Sequence, residues 1–472
     1  MEHSLKQEDA PSSSRNVDPN RLLYSLMIPA IMMPLAGWMF SVSLPTIRDD
    51  FGIQADSAAW IATAFSLPFM LFMPVYGRLS DSLGKRRLLL AGITLFVFGG
   101  LMATFSTSLA MLILGRFLQG VGVAGNVPLS LALISEVFAQ QDRGKAMGLW
   151  STMGPITGVV GPVLAGLIVA RWGWRGSFIP PLFFGVLGLA VIFWMIPSSG
   201  RPVSLDFLRR FDWIGTLLLF ATLTFLFFYL SSRPITGVPP LQDWRFLALM
   251  LIFGVGFVLY ENVRDDPFIN LRIFGNRTLM LGSALACLRM IGLSGGMGFL
   301  MPLYLADIIN IDPSLSGFFL MANPAAMVIC VRLAGGLADR WGSRLIVMTG
   351  FAIVGSVYLT FSQLGASTPY WGVILLYFCF GIGAGMMLAT LHRAALNDVP
   401  DVDMGTSSGI YSMLRFLGSA LGAAIGGILL KYYTDLNPSD LLAAFQSVFV
   451  WYVGFALLGI LIAFFLPRSS SA

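Results

Sequence analysis

The residues of this chain that could do chemistry are charges, and they stand in two kinds of place. The first is a pair of short loops, Gly77–Leu88 (GRLSDSLGKRRL) and Gly335–Leu345 (GGLADRWGSRL). Both read Gly-x-x-x-Asp-x-x-Gly-x-Arg: Gly77, Asp81, Gly84 and Arg86, then Gly335, Asp339, Gly342 and Arg344, each pair 258 positions apart. A carboxylate at such a turn accepts backbone N–H groups at a helix start or pairs with an arginine. Lys85, Arg86 and Arg87 anchor to anionic headgroups. This is the chemistry of a latch, although the same loop also serves simply to close a turn and fix topology. The second place is the interior of apolar runs, where Arg116, Arg289 and Arg415 stand. A guanidinium there is expensive unless paired, so each is expected to face protein.

Chemistry of other kinds has no support. The chain has no Gly-x-x-x-x-Gly-Lys-Ser/Thr loop, and its two histidines are too few for a metal cluster. Cys287, Cys330 and Cys379 lie in apolar runs without CxxC spacing and read as small packed residues. No enzyme activity, cofactor or metal is expected.

The elements that hold these charges are membrane helices. Of 472 residues, 56% are hydrophobic and 11% charged, against about 25% charged in soluble domains. Apolar runs near bilayer length recur throughout. Fourteen spans are expected: 22–42, 57–76, 88–105, 109–134, 146–169, 178–196, 213–231, 246–260, 279–302, 314–334, 345–362, 370–391, 405–430 and 445–466. With the N-terminus in the cytoplasm, inside segments hold nineteen of the 29 Lys and Arg and outside loops six. This sets both termini inside. At 1.5 Å per residue Arg116 lies about 10 Å from the outer end of its span, and Arg289 and Arg415 about 15 Å from the inner ends of theirs. Arg332, near a span end, is expected to snorkel.

The duplicated loop joins spans two and three, then ten and eleven, so spans 1–6 match spans 9–14 and spans 7–8 are an inserted hairpin. The expected division is a tail 1–20, a six-helix half 21–200, a linker and hairpin 201–275, a second half 276–467 and a tail 468–472. Leu44-Pro45 and Met301-Pro302 mark the ends of spans one and nine. Glycines four apart in spans five and thirteen form stripes that let another backbone approach. Two matching halves around a cavity are a transporter architecture; a receptor or scaffold has no need of them.

Four features together resemble the major facilitator superfamily, and within it the fourteen-helix drug:proton antiporters, over nearly the whole chain. They are the duplicated loop, Gly115–Gly122 (GRFLQGVG), Gly158–Gly166 (GVVGPVLAG) and Phe211–Gly215 (FDWIG). The resemblance implies gating by Gly77, Asp81, Gly84, Lys85 and Arg86, with Asp339 and Arg344 as partner latch. It implies proton or substrate coupling at Arg116, although the guanidinium could equally hold the bundle by bonding to carbonyls. It implies export through the stripe Gly158, Gly161, Pro162 and Gly166, whose contact with span ten can seal the cavity, although small residues also merely permit tight packing. Arg289 is expected to contact substrate. For Arg415 a packing role competes with coupling, and for the candidate liners Gln119, Asn126, Asn323, Trp38 and Tyr377 packing competes with lining.

One departure matters. The family's exporters often carry an aspartate in span one, where this chain has Ala36. None of the 24 acids falls in the middle of a span; those nearest the edges are Asp81, Glu136, Asp212, Glu261 and Asp307. The expected function is therefore secondary export of a small amphipathic organic compound by alternating access, coupled to protons. The alternative is a carrier of an anionic, zwitterionic or lipid-like substrate without proton coupling. A monomer in a bacterial cytoplasmic membrane is expected, with the bilayer as its surroundings and no nucleic-acid partner.

Overall fold

The computed structural model describes residues 18–196, 211–265, 267–365, 367–397, 399 and 404–467, apart from the side chains of Asp81, Arg332, Gly335, Asp339, Met404 and Gly405. The tails and most of the expected linker therefore lie outside the described residues. Within them the chain is helical, with no strand. The long helices are α1 Pro19–Phe51, α2 Ala55–Leu83, α3 Lys85–Thr104, α4 Leu109–Val137, α5 Gln140–Gly176, α6 Ile179–Met195 and α7 Trp213–Leu230. They continue as α8 Trp244–Val263, α9 Arg277–Asp307, α10 Pro313–Leu320 running on as Ala322–Trp341, α11 Ser343–Phe361, α12 Tyr370–Leu396, α13 Met404–Leu436 and α14 Leu441–Ala463. Among the described residues, 13 are long and apolar enough to cross a membrane, and α6 is a shorter apolar helix.

Sequence sets the ends of these helices. Short polar side chains accept the free N–H groups of the first turn. Ser108 caps α4, Asp212 α7, Asn276 α9, Asp312 α10 and Asp440 α14. The repeated loops turn at Gly84 (φ +84°) and Gly342 (φ +80°), a backbone region that a side chain disfavours, so both copies keep glycine. The outward faces carry Phe98, Trp194, Leu251 and Leu461, all exposed. Such a surface is stable only in an apolar solvent.

Two of the expected span ends are corrected. The helix of span one runs on through Pro45 to Phe51, where Gly52 turns it in the left-handed conformation. The helix of span nine likewise runs on past Pro302 to Asp307. A proline removes one backbone hydrogen bond but does not stop a helix held by its neighbours. α1 does break at Ile31, between Pro29 and Pro34. There Asn126 Nδ2 donates to the Pro29 carbonyl at 2.9 Å, and Trp150 Nε1 donates to that of Leu26 at 3.2 Å.

Within α9, Ile291–Leu300 winds as a π-helix. Its glycines let α11 and α13 come close: a Cβ at Gly296 would collide with the Tyr358 hydroxyl, and one at Gly295 with the Gly422 carbonyl. Hydroxyls serve the carbonyls of the widened turn. Tyr358 donates to Gly292 O at 2.7 Å, Tyr377 to Met297 O at 3.1 Å, and Ser41 to Gly298 O. Helices α1–α6 pack around Leu26, Met32, Phe69 and Phe96. Helices α9–α14 pack around Tyr304, Tyr358, Phe361, Phe449 and Tyr452. The α7–α8 hairpin docks by Leu219, Phe227 and Phe257 on Leu67 and Leu71 of α2 and Ile410 and Met413 of α13.

Candidate functional site

A cavity of about 240 Å³ lies where the first six helices meet the last six. α1 supplies Trp38, Phe40 and Ser41, α2 Phe65, Ser66 and Phe69, and α4 Arg116. From the other side α9 supplies Met290, Ser294 and Phe299, and α13 Phe416 and Ser419. Among the described residues, six aromatic rings, four hydroxyls and one cation line it, with no carboxylate. Arg116 is 1% exposed. Its guanidinium lies 4.5 Å from the ring centre of Phe40 and 4.3 Å from that of Phe65, where the ring quadrupoles offset part of the cost of burying its charge. Nη1 donates to Gln119 Oε1 at 3.2 Å, while Nε and the amide nitrogen of Gln119 have no partner among the described residues. A planar cation beside flat apolar walls suits a molecule with an aromatic face and acceptor atoms.

The other candidates from sequence are placed differently. Trp38 lines the cavity, and Gln119 stands behind Arg116. Asn126 holds the break in α1, Tyr377 serves the π-helix, and Asn323 is fully buried with its carbonyl against Gly381 of α12. Arg289 does not line the cavity. It faces a void of about 10 Å³ within α9–α14, beside Phe351, Tyr358 and Tyr452, and its Nη1 has no partner among the described residues. Arg415 lies 4.5 Å over the ring of Phe416, which itself meets Phe69 edge-on at 4.7 Å at the cavity wall. Arg289 and Arg415 lie close enough for their charges to interact around Tyr411, and His392 packs edge-on to that tyrosine at 5.2 Å. Sequence analysis named both arginines but not their meeting around Tyr411, because that contact joins separate helices, α9 and α13.

One end of the cavity is closed. Arg48, at the end of α1, donates to both carboxylate oxygens of Asp307, at the end of α9, at 2.5 and 2.7 Å. Asp50 accepts from Trp174 at 2.9 Å and Arg175 at 3.2 Å, fixing α5 to α1 at the same end. The α5 stripe packs closely against α10. A Cβ at Gly166 would lie 2.5 Å from Pro313 O and one at Gly158 2.8 Å from Pro324, while Gly317 of α10 lies against the Pro162 carbonyl. Gly161 faces Trp38. Asp307 was legible as an edge acid, but its partner was not. Asp50 and Asp307 follow Pro45 and Pro302 by the same five residues, but that match pairs Asp307 with its counterpart in the first half and not with Arg48.

At the opposite end three basic residues of the repeated loops bind within their own groups of helices, while Arg78 reaches Pro267 O at 2.7 Å, beyond the α7–α8 hairpin. Lys85 pairs with Glu136, Arg86 donates to Phe193 O at 2.6 Å, and Arg344 lies 4.0 Å over the Phe464 ring. A Cβ at Gly77 would meet open space. The side chains of Asp81 and Asp339, expected as latches, lie outside the described residues.

The sequence model of the Major Facilitator Superfamily matches residues 26–423 and 279–472. The chain is 29% identical over 410 residues to the riboflavin transporter RibZ of Clostridioides difficile (strain 630), covering 85% of this chain and 86% of that one. It is 30% identical over 402 residues to the multidrug resistance protein Stp of Mycobacterium tuberculosis (strain CDC 1551 / Oshkosh), covering 84% and 73%. The fold superposes on the crystal structure of a D-xylose-proton symporter with a TM-score of 0.68 at 14% identity, over 96% of this chain and 99% of that one.

Proposed function

We propose, from the premise that this chain belongs to the Major Facilitator Superfamily of membrane transporters, that it is a proton-coupled secondary exporter of small amphipathic aromatic compounds. α6 counts as a crossing in this reading. Fourteen spans then form two six-helix halves, 21–200 and 276–467, with an inserted hairpin and both termini in the cytoplasm. The positive-inside bias supports that orientation. The closed Arg48–Asp307 end is then the outer face, and the cavity is seen in a state that loads from the cytoplasm. Export is supported by the fit of the α5 glycines against α10 and by a relative named for multidrug resistance.

The observation that carries the substrate class is Arg116 between Phe40 and Phe65 in an aromatic cavity without a carboxylate. A lipophilic cation would find no counter-ion there. A neutral, zwitterionic or anionic compound would find a positive field, reinforced from behind Phe416 by Arg289 and Arg415. This is also what favours the second reading, an anion carrier indifferent to protons. Uptake of paired anionic and cationic aromatic dyes into inverted membrane vesicles tests both, with and without an imposed pH gradient. Gradient-stimulated uptake that favours the anionic or neutral dye is expected. Preference for the cation would refute the substrate class, and indifference to the gradient would hand the lead to the anion carrier.

A further inference from the structure

With no carboxylate in the cavity lining among the described residues, the acids buried elsewhere become informative. Asp212, at the head of α7, is 2% exposed, and Glu261, in the last turn of α8, is 3% exposed. Asp212 Oδ1 accepts the Gly215 N–H at 2.9 Å and Oδ2 the Phe268 N–H at 3.1 Å. Glu261 Oε2 accepts the Ile269 N–H at 3.4 Å, and its buried Oε1 meets no N–H donor among the described residues but lies against the Asp212 carboxyl, with which only a shared proton can bond it. The two acids meet over a glycine: a Cβ at Gly215 would collide with both Glu261 Oε1 and Asp212 Oδ2.

Two carboxylates so close and out of water do not both ionise. Both Asp212 oxygens are committed to N–H donors, so the proton belongs to the Glu261 side. The cation whose charge acts on Glu261 is Arg78 of α2, which also donates to Pro267 O at 2.7 Å and lies 5.7 Å over the Phe268 ring. Arg264 and Asp265 after α8 and Arg272 on the 3-10 turn Leu271–Gly275 are exposed, and α13 presents apolar Ile410 and Met413.

We propose that Asp212 and Glu261 form a proton-binding site, outside the substrate cavity, through which the transport cycle is coupled to the proton gradient. The step is loss of the Glu261 carboxyl proton to water, with no other bond changed. The new carboxylate repels Asp212 and is drawn toward Arg78, which loosens the segment Phe268–Ile269 from the ends of α7 and α8. That segment packs with Val75 of α2 and Met413 of α13. One helix belongs to each half, and Arg78 lies inside the repeated loop, so the charge of the pair is felt at a joint between the halves.

The proposal rests on the proton-coupled reading, and two measurements on the full chain keep them apart. The first is infrared difference spectroscopy of purified protein between about pH 5 and pH 9, on either side of ordinary carboxyl ionisation. The second is pH-gradient-driven uptake of a neutral aromatic dye into inverted vesicles. The expected result is a protonated-carboxyl band, lost at high pH in the wild type and missing in Glu261→Gln, with gradient stimulation reduced about fivefold or more. An unchanged band in Glu261→Gln overturns the site. An unchanged gradient response in that variant overturns its role in coupling while leaving proton-driven export intact. A wild-type band with no gradient response overturns proton coupling itself. Should Glu261→Gln fail to assemble, Glu261→Asp keeps the acid but shortens its reach. A shift in the pH at which the band disappears is then expected, and an unmoved midpoint overturns the proposal.

Discussion

Arg116 is where sequence and structure meet most closely. A guanidinium in an apolar run had to be buried against protein, and that much follows from its type and depth. That it would lie between Phe40 and Phe65 did not follow, because those rings belong to α1 and α2 and the contact is tertiary. Arg116→Lys is expected to keep the charge but lose the planar stack and the bond to Gln119, lowering transport about tenfold or more with expression unchanged. Dye uptake normalised to protein reads this. A variant as active as wild type would reduce Arg116 to packing. Arg289 illustrates the opposite limit. It has the same residue type and similar depth, yet it faces a small void within the last six helices. An apolar helix buried nearly all round has no polar face to fix its rotation, so sequence cannot say which way a single arginine points.

Helix existence and order were legible because apolar runs of bilayer length have few other solutions. Helix ends and irregularities were less so. Pro45 and Pro302 looked like stops, yet α1 and α9 continue beyond them because packing holds what the prolines weaken. The π-helix of α9 had a signal in Gly292, Gly295, Gly296 and Gly298, but its stabilisers, Tyr358, Tyr377 and Ser41, come from three other helices. Tyr358→Phe strands a buried carbonyl and is expected to lower stability by about 1–2 kcal/mol, read as a drop in melting temperature in detergent. No drop would mean that the π turn does not depend on that hydroxyl. The α5 stripe was legible because small residues four apart are of use only where something approaches. Gly166→Val should push α5 from the Pro313 backbone and hold the Arg48 end open. Greater labelling of a reporter cysteine by a membrane-impermeant thiol reagent added outside would show this, and unchanged labelling would count against the seal.

For the whole molecule, the repeat implies two matched bodies. The ties between them near Arg48 and Asp307 were not announced, since a repeat pairs each half with its copy and not with its neighbour. Losing this half-buried pair should shift the balance between open and closed states at that end by about 1–3 kcal/mol. Arg48→Ala is therefore expected to increase outside labelling of the cavity several-fold. The central claim, that transport requires this end to open and close, is tested most directly by fastening it. Cysteines at positions 48 and 307, in a chain with Cys287, Cys330 and Cys379 replaced by serine, would be joined by a short cleavable bifunctional thiol reagent. The expected result is that cross-linking stops dye transport while dye binding persists, and that cleaving the link restores transport. Full transport with the ends of α1 and α9 fastened together would contradict alternating access through this cavity.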